Sequence, residues 1–130
     1  MATPHLRLGP RFAEAVAWVT ELHADQARKG GSDVPYVSHL LAVTALVLED
    51  GGDEDQAIAA LLHDGPEDQG GRPVLDEIRR RFGGEVASQV DGLTDTLTMP
   101  KPKWRPRKKA YLARLREEPR SVLRVSLADK

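Results

Sequence analysis

The chain has 130 residues and a formal net charge of −1, with 40% hydrophobic and 30% charged residues. That length and mixture describe one globular domain with room for a real core, and the charge balance excludes the global basic field of a dedicated nucleic-acid binder. The absence of cysteine excludes disulfides, thiolate metal sites and cysteine nucleophiles.

Only 5% of the residues are aromatic, so Leu, Val, Ala and Ile are expected to fill the core. Met1 to Pro10 carries no apolar signal-peptide run, and no stretch approaches the roughly 18 apolar residues of a membrane span. A cytoplasmic protein with no membrane partner is the expectation. The periodic pattern starts near Arg11, where Phe12, Ala15, Val16, Val19 and Leu22 fall at helical spacing, and the first helix is expected to reach about Lys29, before Gly30-Gly31-Ser32. Ser38 is read as the N-cap of a second helix through Leu40, Leu41, Val43, Leu46 and Val47. Asp50-Gly51-Gly52-Asp53 then reads as a turn before a third helix from about Glu54 to His63. Gly65-Pro66 predicts a bend directly after Asp64, because proline disfavours helical geometry in the residue before it. A fourth helix follows over Pro73 to Phe82, and a fifth from Glu85 to about Leu93 after Gly83-Gly84. Thr94 to Pro106 reads as a basic, proline-rich loop, Lys108 to Glu118 as helix, and Val122 to Leu127 as a last apolar stretch. No strand pair stands out, so the fold class is all-α with antiparallel neighbours.

The chemistry concentrates at His63-Asp64, which closes the apolar run Ala57 to Leu62 and is followed by Glu67-Asp68. Adjacent helical residues are about 100° apart with a rise of about 1.5 Å, so these two side chains converge on one ion only near a helix end. His39 begins one helix and His63 ends the next, and an antiparallel pair brings those ends together. Asp64, Glu67, Asp68 and Asp129 supply oxygen ligands and acid–base groups. Two histidines with two aspartates suit Mn²⁺, Fe²⁺ or Zn²⁺, with Mn²⁺ favoured where carboxylates and waters complete an octahedron. Such an ion lowers the pKa of a bound water and polarises a phosphoryl oxygen. Of the other histidines, His5 lies in the N-terminal segment, and His23 reads as a satisfied surface or outer-sphere side chain.

His39, His63-Asp64 and the late Asp129 resemble the signature of HD-domain metal-dependent phosphohydrolases. The resemblance narrows on extension. His23-Ala24-Asp25-Gln26-Ala27-Arg28-Lys29, Pro35-Tyr36-Val37-Ser38-His39 and His63-Asp64-Gly65-Pro66-Glu67-Asp68 are similar to landmarks of the RelA/SpoT-type alarmone hydrolases. Phe82-Gly83-Gly84-Glu85-Val86, Gly92-Leu93-Thr94-Asp95, Arg107-Lys108 and Leu127-Ala128-Asp129-Lys130 match later ones, in order along nearly the whole chain.

The resemblance implies an HD-domain helical bundle in which His39, His63, Asp64 and Asp129 hold one Mn²⁺. It further implies that Glu67 and Asp68 serve the hydrolytic water, and that Arg28, Lys29, Arg107 and Lys108 contact the nucleotide and its phosphates. Arg28-Lys29 can also be read as a favourable charge pair at a helix C-terminus. Leu40 stands where the family commonly has proline, and Gly65-Pro66 replaces two small apolar residues, which bears on where Glu67 and Asp68 sit. Relatives continue past the position of Lys130, so residues 1–130 are expected to be a single hydrolase domain that is incomplete at its C-terminus. The implied reaction is Mn²⁺-dependent removal of the 3′-pyrophosphate from guanosine tetra- or pentaphosphate. The alternatives are a related phosphohydrolase acting on another nucleotide such as NADPH, and a module that binds nucleotide without turning it over.

Overall fold

The computed structural model describes residues 6–28, 33–93 and 125. Among them are six helices: α1 (Pro10–Leu22), α2 (Val37–Glu49), α3 (Glu54–Leu62), α4 (Gly65–Gln69), α5 (Arg72–Phe82) and α6 (Gly84–Leu93). The proline-rich loop, the helix expected from Lys108 and most of the last apolar stretch lie outside the described residues. Val125 is helical and buried.

The central element is α3. Every residue from Gln56 to Leu62 is buried, because the run is apolar around its whole circumference rather than along one stripe. Its alanines, Ala57, Ala59 and Ala60, let neighbouring backbones approach, and α1, α2 and α6 pack around it. The main core joins Ala15 and Val19 of α1, Leu40 of α2, Ile58, Leu61 and Leu62 of α3, Leu75, Ile78 and Phe82 of α5, and Val86 and Val90 of α6. A second cluster of Val43, Val47, Ala60, Leu93 and Val125 covers the other flank of α3. Each Ile or Leu buried here contributes about 1.5–3 kcal/mol. Phe82 is the one aromatic residue among these fully buried positions, in keeping with the aliphatic core expected from composition.

A capping box starts α3. The Asp53 carboxylate accepts from the Gln56 backbone N–H at 2.8 Å, and the Gln56 side-chain oxygen accepts from the Asp53 N–H at 3.0 Å, satisfying two backbone donors at once. Arg11 ties the start of α1 to this end of α3 through Glu54 (3.2 Å) and Asp55 (2.9 Å), and to the end of α5 by donating to the Phe82 carbonyl at 2.6 Å. Since Arg11 is nearly half exposed, its ion pairs orient more than they stabilise.

Three expectations are corrected. Helix α1 stops at Leu22 rather than Lys29. Beyond Leu22 the apolar spacing fails, and Gln26 to Arg28 instead pairs with Val34 to Tyr36 through an isolated Ala27–Pro35 bridge and the bonds Tyr36 N–H to Gln26 O (2.8 Å) and Arg28 N–H to Val34 O (3.0 Å). Ser38 is not the N-cap of α2. The helix starts at Val37, with Tyr36 as N-cap and no side-chain cap bond, because Ser38 and His39 already donate to the Pro35 and Tyr36 carbonyls. Finally, Gly65-Pro66 interrupts the helix as expected, but it also opens a short helix, α4, that the sequence reading did not include. Proline in a first helical turn costs nothing there, since its missing N–H would have no intrahelical partner.

Candidate metal centre

The turn between α3 and α4 presents His63 and Asp64, and the first turn of α2 presents His39. One ligand atom from each of these three side chains lies within 4.8 Å of the others, and the His39 and His63 ring centroids are 6.4 Å apart. The antiparallel packing of α2 on α3 brings these ends together, as the sequence reading expected. His63 is 3% exposed, and its Nε2 lies 3.3 Å from Asp64 Oδ2.

The His63 tautomer follows from its surroundings. Its Nδ1 lies 2.6 Å from the Ala60 carbonyl oxygen. A carbonyl only accepts, so Nδ1 carries a proton, and Nε2, 3.3 Å from Asp64 Oδ2, is the nitrogen left to ligate a metal. Two imidazoles and a carboxylate so disposed suit a divalent first-row ion, and the donor set fits such an ion.

The surrounding side chains hold this group in place. The Tyr36 hydroxyl donates to Asp64 Oδ2, and the Tyr36 ring lies between those of His23 and His39, at 5.4 and 5.5 Å. Asp68, on α4, accepts from Gln26 Nε2 at 3.2 Å. Gly65 permits the close approach beneath them: a Cβ there would meet Leu22 Cδ2 at 3.2 Å and Val74 Cγ1 at 3.4 Å. Glu67 and Asp68 both sit on the short α4, partly buried, so the Gly65-Pro66 substitution keeps the pair on a helix beside the histidines' turn.

His23 corrects an expectation. It is 1% exposed, which removes the surface half of that expectation; its Nδ1 is 2.7 Å from Gln26 Oε1, and its buried Nε2 has no hydrogen-bond partner among the described residues. Arg28 is exposed and lies in the bridged segment after α1, so it does not serve as a helix C-terminal charge. Lys29, Arg107, Lys108, Asp129 and His5 lie outside the described residues. Leu40, at the position where proline was expected, is fully buried in the main core. Tyr36, Gln26, Gln69 and Ala60 complete the surroundings without having been assigned a role from sequence. Tyr36 precedes His39 by three residues and Gln26 follows His23 by three, a spacing that puts each pair on one side of a turn.

The HD domain family matches residues 15–130. The chain belongs to the HD domain family. Within it, the chain is 35% identical over 119 residues to the guanosine-3′,5′-bis(diphosphate) 3′-pyrophosphohydrolase MESH1 of Xenopus tropicalis, a match covering 90% of this chain and 64% of the relative. The human MESH1 is 33% identical over 122 residues, covering 92% of this chain and 65% of the relative. A GTP pyrophosphokinase of Streptomyces antibioticus is 37% identical over 110 residues, which are 83% of this chain and 12% of that much longer protein. The HD fold is shared with a solved structure described as a metazoan ortholog of SpoT that hydrolyzes ppGpp, with a TM-score of 0.82, 25% identity, and coverage of 99% of this chain and 68% of the other. The chain thus spans just under two thirds of the length of the MESH1 relatives, and its described residues form the all-α bundle expected from its sequence.

Proposed function

We propose that this chain carries the hydrolytic site of a Mn²⁺-dependent guanosine-3′,5′-bis(diphosphate) 3′-pyrophosphohydrolase. The observation that carries the reading is the convergence of His39, His63 and Asp64, with His63 Nδ1 engaged by the Ala60 carbonyl so that Nε2 is the nitrogen left for an ion. The relatives named for this activity support the substrate, and Asp129 is the proposed fourth ligand. A divalent ion held there would acidify a bound water and polarise the phosphoryl oxygens, and Mn²⁺ is the choice favoured by a mixed imidazole and carboxylate set.

The chain's own groups do the rest. Glu67 and Asp68 accept the proton of the attacking water. The water oxygen bonds to the phosphorus joined to the 3′ oxygen, the bond to that oxygen breaks, and the 3′ oxygen takes up the proton the water released, so that GDP or GTP leaves with a new 3′ hydroxyl beside pyrophosphate. Arg28, Lys29, Arg107 and Lys108 bind the phosphates and hold the ester in line for attack.

The test uses metal-free protein incubated with guanosine tetraphosphate, with Mn²⁺ then added and GDP and pyrophosphate followed. Turnover should require Mn²⁺ and fall by at least a hundredfold in His39→Ala and Asp64→Asn. Turnover of NADPH in place of the guanosine nucleotide would overturn the substrate, and full activity in both variants would overturn the site.

A further inference from the structure

Gln26 stands at the junction of three side chains, of which the proposed chemistry accounts for Asp68 alone. Its Oε1 lies 2.7 Å from His23 Nδ1 and accepts from Gln69 Nε2 at 2.7 Å, while its Nε2 donates to Asp68 Oδ2 at 3.2 Å. The orientation of the whole group follows from one charge. Asp68, when ionised, only accepts, so the Gln26 amide must turn its NH₂ toward it; the opposite orientation would set a carbonyl oxygen against a carboxylate. The Gln26 oxygen is then committed to the other side, where its two lone pairs take the Gln69 amide and a proton on His23 Nδ1. His23 is held in that tautomer in a buried setting, where its Nε2 finds no partner among the described residues.

The backbone beneath Gln26 is fixed as well. Its N–H donates to the His23 carbonyl at 3.0 Å, and its carbonyl accepts from the Tyr36 N–H at 2.8 Å. Asp68 sits on the five-residue helix α4. The segment after α1 therefore supplies a fixed donor from which this hydrogen bond reaches across to α4.

We infer that Gln26 is a positioning residue for Asp68: its amide, locked by His23 and Gln69, engages Oδ2 and aims the carboxylate at the attacking water. This rests on the function proposed above, in which Asp68 accepts a proton. A misplacement of about 1 Å at such a group costs on the order of a hundredfold in rate.

The experiment compares the wild type, Gln26→Leu, Asp68→Asn and the double variant with guanosine tetraphosphate and Mn²⁺, well below each melting temperature. Gln26→Leu should lower kcat by roughly tenfold to a hundredfold, with KM and Mn²⁺ affinity within about twofold of wild type. The double variant should match Asp68→Asn, since residues acting as a unit are not additive. A purely structural role would instead lower the residual rate of Asp68→Asn by the same factor again. Should Gln26→Leu fail to fold, Gln26→Glu replaces it: that side chain still accepts from His23 and Gln69, and it sets a carboxylate oxygen against Asp68 where the donor was. It should lose kcat equally, and its melting temperature should recover in Gln26→Glu/Asp68→Asn, where the new amide donates back. Activity of Gln26→Leu or Gln26→Glu within twofold of wild type, or multiplicative losses, would overturn the inference. Absence of wild-type turnover would overturn the proposed function instead. The melting temperatures then decide the Gln26–Asp68 link: recovery in the double variant supports it, and simply additive shifts sink it.

Discussion

Asp64 Oδ2 accepts from the Tyr36 hydroxyl and lies 3.3 Å from His63 Nε2. Tyr36→Phe removes the hydroxyl and keeps the ring between His23 and His39, so the packing survives while Asp64 loses its orienting donor. Loss of such an outer partner typically weakens metal affinity by about tenfold to a hundredfold, and calorimetric titration of Mn²⁺ into metal-free protein should show that drop with an unchanged fold by circular dichroism. An affinity equal to wild type would mean that Asp64 needs no orienting partner. The convergence of His39, His63 and Asp64 was legible in the sequence, because imidazoles and a carboxylate at facing helix ends carry their own chemical signal. Tyr36 and Gln26 were not, for a tyrosine and a glutamine are at home in any turn. Only the fold shows that one donates to Asp64 and the other to Asp68. His23 was misread for the complementary reason: its sequence neighbours Ala24 and Asp25 are exposed, and only the packing of Tyr36 over it takes it out of water.

At the scale of elements, the start of α3 is the most constrained joint. Asp53→Ala removes half of the capping box and should destabilise the protein by about 1 kcal/mol in urea denaturation. Gly52→Ala should cost more, about 1–3 kcal/mol. A Cβ there would stand 2.6 Å from Val47 Cγ1 and 2.9 Å from the Val47 carbonyl oxygen, and the carbonyl belongs to α2 and cannot rotate away. Equal stability of Gly52→Ala and wild type would show that α2 and α3 can part at little cost. The positions of α2, α3, α5 and α6 were readable from apolar spacing and glycine punctuation to within a residue or two. The end of α1 and the existence of α4 were not. The first depends on pairing between Ala27 and Pro35, which local pattern does not encode, and the second on a proline that begins a helix where it was read as a break.

The whole molecule is an aliphatic bundle wrapped around one buried helix, with the proposed metal group at that helix's end. The core formed by the described residues is largely aliphatic and includes none of the proposed metal ligands, so the metal-free protein should be folded, and Mn²⁺ should raise its melting temperature in a concentration-dependent way. At a free concentration of 100 Kd the added stability is about 2.7 kcal/mol, and a chelator should reverse the shift without unfolding the protein. A flat melting temperature across that titration would argue against any ion in the group. The bond between His63 Nδ1 and the Ala60 carbonyl gives this coupling a direction. Ala60 is wholly buried, and its carbonyl is one of the last four of α3, which lack the usual helical partner. The imidazole that faces the ion is therefore also the end-stop of the innermost helix. Metal affinity consequently becomes a gauge of the interior: a change packed against Ala60, far from any substrate, should register as a change in ion binding before it registers as a change in shape.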